Sequence, residues 1–102
     1  MVIRVKPEKF EEYKRLHANP WPGVLETLRR ANIRNYSIFH HAGLLFAYLE
    51  YHGDDWEEDQ KRIAADPITQ AWWELTDPCQ EPLPTRKPGE WWAEMEQVFF
   101  ME

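Results

Sequence analysis

The stretch IRNYSIFHHAGLLFAYLEYH, residues 33–52, decides the fold. Residues 33–41 and 44–52 are two runs rich in β-branched and aromatic side chains, the composition of strands. Ala42-Gly43 between them is a two-residue turn signal, and it joins the runs into an antiparallel hairpin. On the first strand Tyr36, Ile38 and His40 face one way, while Asn35, Ser37, Phe39 and His41 face the other. Both sides of this hairpin carry large apolar groups, so both faces of the sheet require cover.

Working outward, residues 1–6 (MVIRVK) read as a first strand. Pro7 suits a first helical turn, and residues 7–18 (PEKFEEYKRLHA) open with acidic side chains, as helix starts prefer. Phe10, Tyr13 and His17 recur at spacings of three and four and share one helix face. Pro20 and Pro22 break this helix, and residues 23–32 (GVLETLRRAN) form a second piece. Beyond the hairpin, Asp54-Asp55 is an N-cap pair for a helix over residues 54–66. Pro67 interrupts that helix and residues 67–77 (PITQAWWELTD) resume it. Residues 78–90 hold four prolines and a glycine and read as a loop. Residues 91–101 (WWAEMEQVFFM) read as the last strand. With each broken helix counted as one crossover, the order is βαββαβ, an α+β, ferredoxin-like arrangement in a single domain over residues 1–102. Its helices cover one sheet face, and a second copy of the chain is the simplest cover for the other, so a homodimer is expected.

Composition narrows the function. The net charge of −6, with no Lys/Arg cluster on any segment, disfavours nucleic acid and anionic membranes as partners. No apolar run approaches the ~20 residues of a membrane span, and the first residues show no signal-peptide pattern. Cys79 is the only cysteine, so there is neither a disulfide framework nor a cysteine-based zinc site. A soluble cytoplasmic protein is the expectation from these features. A domain of 102 residues buries only about 60–65% of the surface of its unfolded chain, so part of any deep pocket is expected from a partner subunit. Four of the six tryptophans come as adjacent pairs, Trp72-Trp73 and Trp91-Trp92. Neighbours on a helix point about 100° apart, and on a strand they face opposite ways. Neither pair fits wholly on one core face, so some of these rings belong to a pocket or an interface.

In order along the chain, EEYKRLH (11–17), NPWP (19–22), NYSIF (35–39), LLFAYLE (44–50), QAWWELTD (70–77) and EQVFFM (96–101) resemble the L-rhamnose mutarotase family. The resemblance spans nearly the whole chain. Its most specific feature is Tyr13-x-x-x-His17, followed four residues later by Trp21 and then by the late Trp72-Trp73 pair. It implies a ferredoxin-like fold that dimerises into an α/β barrel. It also implies exchange of the α and β anomers of L-rhamnose through the open-chain aldehyde, with no cofactor and no metal. His17 matches the family's proton donor, Tyr13 and Tyr36 its sugar-binding tyrosines, and Trp72 and Trp73 the tryptophan pair of the sugar site. Trp21, locked between Pro20 and Pro22, is expected to lie against His17 and join the substrate-binding set. Gly23 stands where an acidic residue is common in the family, and residues 78–90 also depart from it.

The residue types suit the chemistry. Imidazole, with its ordinary pKa near 6.5, is a natural proton-transfer group at neutral pH. Aromatic walls pack on the C–H faces of a pyranose, while tyrosine hydroxyls and indole N–H groups bond its rim. Taken without the resemblance, His17 is a surface or capping histidine, and Trp72 and Trp73 are core and interface residues. His40 and His41 point to opposite faces and are read as surface or interface groups. His52 is read as solvated, Trp91 and Trp92 as core and interface, and Cys79 as inert. Two other functions share the fold class: a dimeric α/β-barrel monooxygenase or haem-handling protein, and a non-catalytic sugar-binding module.

Overall fold

The computed structural model describes residues 1–102. Its elements run β1 (Val2–Val5), α1 (Phe10–Ala18), α2 (Pro22–Arg30), β2 (Ile33–His41), β3 (Leu44–Tyr51), α3 (Trp56–Ala65), α4 (Pro67–Thr76) and β4 (Gln80–Glu81). Short 3-10 turns over Pro7–Lys9 and Asp77–Cys79 lead into α1 and β4. The four strands form one antiparallel sheet in the order β2-β3-β1-β4. This is the βαββαβ topology with each crossover helix broken in two.

The hairpin forms where the sequence places it. Ala42 and Gly43 take φ of 51° and 79°, the paired positive values that match a two-residue turn to strand twist. Phe39 pairs with Phe46, and His40 with Leu45. The register shifts between Arg34 and Ser37, and Asn35 there has φ of 50°. This bulge keeps Ile33 and Tyr36 both packed among the core residues.

The prolines act as starters as well as breakers. Pro22 and Pro67 occupy the first turn of α2 and α4, where a missing N–H costs nothing. Asp66 caps α4, its carboxylate accepting from the Thr69 N–H and the Thr69 hydroxyl at 2.8 Å each. Asp55 caps α3 by accepting from the Glu58 N–H at 3.1 Å. Gly23 lets α2 approach α4, because a Cβ there would lie 2.8 Å from Ile68 Cδ1.

The helices lie on one sheet face. Beneath α1, Ile3, Val5, Leu45, Cys79 and Tyr13 form the main core cluster. Ala31, Ile33 and Ile63 form a second one under α2 and α3. The buried Asp59 carboxylate joins the second region by accepting from the Tyr51 hydroxyl, Asn32 Nδ2 and the Arg62 guanidinium. The opposite face carries Val2, Phe46 and Phe39 in register across three strands. Phe39 is 61% exposed and Tyr48 55%.

The C-terminal quarter differs from the sequence reading. The fourth strand is not residues 91–101 but Gln80–Glu81, inside the segment read as a loop. Pro78 and Pro82 confine it to two residues, since proline cannot donate to a ladder. Only Ala93 of the expected strand pairs, exchanging two backbone bonds with Val2. Past that point the chain runs beyond the end of β1 and has no neighbouring edge. Glu94–Glu102 make no backbone hydrogen bond, and Val98, Phe99 and Phe100 are 70–87% exposed.

Candidate active site

The end of α1 and the middle of α4 bring four of the expected residues together. Tyr13 and His17, one helical turn apart, overlap with ring centroids 4.1 Å apart. The edge of Trp72 meets His17 at 5.3 Å and Trp21 meets Trp72 at 5.4 Å, both with planes crossed at 67°. The Pro20-Trp21-Pro22 break thus holds Trp21 against Trp72, and Trp72, not Trp21, forms the ring contact to His17. Trp72 and Tyr13 are buried, at 6% and 4% exposure.

His17 has a defined tautomer. Its Nδ1 lies 2.8 Å from the Tyr13 carbonyl oxygen. A carbonyl only accepts, so Nδ1 carries the hydrogen, and in the neutral ring Nε2 is left with a free lone pair. Burial pushes the imidazole below its ordinary pKa of 6.5, and the bond to the Tyr13 carbonyl acts in the opposite direction. The ring is therefore mainly neutral at pH 7, with a basic nitrogen available.

The Tyr13 phenol reaches down to the sheet. Its oxygen accepts from Gln80 Nε2 at 3.2 Å, and Gln80 Oε1 in turn accepts from the Trp91 indole N–H at 2.7 Å. Burial raises the Tyr13 pKa, so the group stays a neutral O–H. Tyr36 sits on the same sheet face, packed against the second core cluster. Burial pushes its own pKa up to about 12. It borders a cleft of about 210 Å³ with Leu25, Leu28 and Ile33, and none of Tyr13, His17, Trp21 and Trp72 lines that cleft.

Trp73 is placed differently. It is 37% exposed and makes no ring contact with Tyr13, His17, Trp21 or Trp72. Adjacent helical positions diverge by about 100°, so Trp72 turns inward and Trp73 turns toward the surface. Among the remaining histidines, His40 stacks on Phe10 at 3.9 Å while staying exposed. Gln80 and Trp91 are the two residues of this region that sequence reading did not single out. A glutamine between prolines carries no signal, and the Trp91-Trp92 doublet pointed only to a core or interface. No three His, Cys, Asp or Glu side chains are grouped closely enough to hold a metal ion. No helix is long and apolar enough to cross a membrane.

A four-stranded antiparallel sheet with helices on one face is an α+β fold, and the aromatic-walled imidazole lies on its helical side. Solved structures with this fold include the following. L-rhamnose mutarotase from Formosa agariphila superposes with a TM-score of 0.76 at 25% identity, over 99% of this chain and 94% of that one. Tetracenomycin F2 cyclase from Streptomyces glaucescens superposes at 0.70 and 19% identity, over 100% and 95%, and so shares the fold alone. Residues 1–101 match the family model for L-rhamnose mutarotase, and the chain belongs to that family. The L-rhamnose mutarotase of Bacillus subtilis is 31% identical, over 99% of this chain and 94% of its own length. That of Enterococcus faecalis is 33% identical, over 95% and 91%.

Proposed function

We infer that this chain is an isomerase that interconverts the α and β anomers of L-rhamnose, with His17 as its proton-transfer group. Family membership supplies the reaction. The observation that carries the assignment of His17 is its imidazole, bonded through Nδ1 to the Tyr13 carbonyl and walled by Trp72, with Nε2 unpaired.

The neutral ring enters as a base. Nε2 takes the proton of the anomeric hydroxyl while an O–H donor or water protonates the ring oxygen, and the C1–O5 bond breaks. The aldehyde presents its other face by rotation about C1–C2. On closure O5 attacks C1 and gives up its proton. The imidazolium then returns its own proton to the former carbonyl oxygen, so His17 acts as the donor in this half. No atom is gained or lost and no electron is transferred. One such group is worth about 10²–10⁴-fold, enough for a reaction that already proceeds in water. Trp72 and Trp21 form the inner apolar wall, Tyr13 and Tyr36 bond the sugar hydroxyls, and Trp73 closes the rim. A panel of aldoses examined by saturation-transfer NMR tests the substrate. Protein-dependent exchange is expected to be fastest for L-rhamnose, and exchange no faster than buffer for every sugar contradicts the reading.

The same reading makes the protein a homodimer packed through the open sheet face. Val2, Phe46 and Phe39 in register, with the exposed apolar tail at Val98–Met101, support it, since monomers rarely leave such patches uncovered. Phe46→Lys places a charge at the centre of that face, and sedimentation should then report a monomer where the parent chain is a dimer. A parent chain that is already monomeric at micromolar concentration refutes this part. A cytoplasmic location belongs to the same reading and rests on Cys79, buried and without a second cysteine to pair with.

A further inference from the structure

The geometry points to Gln80, pinned by Trp91, as the positioning residue that reserves the Tyr13 hydroxyl hydrogen for the sugar. The argument rests on the reading of Tyr13 as a substrate-binding residue. An indole N–H can only donate, so the atom of Gln80 that it meets at 2.7 Å must be the amide oxygen. The other end of the amide, its NH₂, is then the group that faces Tyr13, and it donates to the phenol oxygen at 3.2 Å. The phenol is thereby used as an acceptor by the protein. Its own hydrogen finds no acceptor among the side chains or backbone. A tyrosine whose oxygen already accepts from the protein and whose hydrogen has no protein acceptor is set to donate to a sugar oxygen.

The burial of the amide and the phenol makes the direction of this relay matter, while the Trp91 ring itself is 41% exposed. Gln80 is 5% exposed and Tyr13 4%, so no bulk water competes to reorient either group. If the amide turned over, its oxygen would face the phenol and accept the Tyr13 hydrogen, which would then be lost to the substrate. Trp91 prevents that, because the turned amide would point NH₂ at the indole N–H and leave two donors in contact. Trp91 lies on the segment between β4 and Ala93, whose bridge to Val2 holds that segment against the sheet. The two residues thus act on the sugar through Tyr13 without touching it.

Three variants test this by exchange NMR across a range of L-rhamnose concentrations. Gln80→Glu keeps the shape, but its carboxylate accepts from both Trp91 and Tyr13 and so reverses the phenol. KM should rise by several-fold to tenfold with kcat little changed, and the loss should shrink on the acid side as the introduced carboxyl is protonated. Trp91→Phe removes only the pinning N–H and should give a smaller rise in KM. Tyr13→Phe should raise KM by itself and abolish the further effect of Gln80→Glu, since the glutamine acts only through the phenol. Wild-type KM in Gln80→Glu, or an effect that persists undiminished in the Tyr13→Phe background, overturns the inference. Wild-type kinetics in Tyr13→Phe alone instead overturns the reading of Tyr13 on which the inference rests. Amide spectra of each variant confirm the fold, and in the parent chain the Trp91 indole N–H should exchange slowly with solvent.

Discussion

The Nδ1–H of His17 is bonded to the carbonyl oxygen of Tyr13 at 2.8 Å, one helical turn earlier, so the aromatic residue of the pair also sets the tautomer of the basic one. The spacing of four does two jobs at once. It overlaps the rings on one helix face and gives the imidazole a backbone acceptor. The free Nε2 and the lowered pKa both follow from placing this pair where α1 meets α4.

The lowered His17 pKa has a kinetic sign. A base must be unprotonated to begin ring opening, so kcat/KM is constant above the His17 pKa and falls as pH drops through it. Burial lowers that pKa from 6.5. The acid limb of the protein-catalysed exchange should therefore have its midpoint below that of free imidazole. An acid limb centred above 6.5 would show that the imidazole is stabilised in its charged form and that the site carries an uncounted negative group.

The two tryptophans of α4 should separate by what is lost. Trp72 is buried against His17 and Trp21. Trp72→Ala should cost about 3–5 kcal/mol of folding stability and reduce activity strongly. Trp73 is 37% exposed and outside that ring cluster. Trp73→Ala should leave the melting temperature within a few degrees and raise KM roughly tenfold, equivalent to about 1.4 kcal/mol. Thermal melts and Michaelis curves on both variants check this, and a large loss of stability in Trp73→Ala with KM unchanged would reverse the assignment.

Asp59 ties α3 to the ends of β2 and β3, and its pKa is lowered, first by the hydrogen bond from Tyr51 and then by that from Asn32. A carboxylate whose native pKa lies below its unfolded value stabilises the fold fully above that unfolded value. The contribution disappears as pH falls from about 3.8 through the native value. Asp59→Asn should lower the melting temperature at pH 7 and flatten the fall in stability between pH 4 and pH 2. Urea melts across that range measure it, and an unchanged slope would show that Asp59 is not among the groups that drive acid unfolding.

The hairpin and its turn were legible, because turn residues and strand composition agree there, but the bulge at Arg34–Ser37 that breaks the alternation was not. The broken helices were legible for the same kind of reason, since Pro20, Pro22 and Pro67 each fix a local geometry that no distant contact overrides. The last strand was not. VFFM has strand composition, but composition cannot say whether an edge is present to pair with. Within one chain the flank of β1 is shared by Gln80–Glu81 and Ala93, and then ends. Helical spacing and family resemblance named Tyr13, His17, Trp21 and Trp72, four side chains that the fold brings into ring contact. Gln80 was invisible because its two hydrogen-bond partners lie 67 residues before it and 11 residues after it in the chain. No local pattern records that meeting.

The most direct test of the account is saturation-transfer NMR between the α and β anomers of L-rhamnose, comparing the parent chain with His17→Ala after both are shown to be folded. The account predicts that His17→Ala binds the sugar with little change, because the imidazole does its main work in the transition state, while kcat falls about 10²–10⁴-fold. Near-normal exchange in His17→Ala, with or without loss of affinity, would contradict it and move the proton transfer to another group.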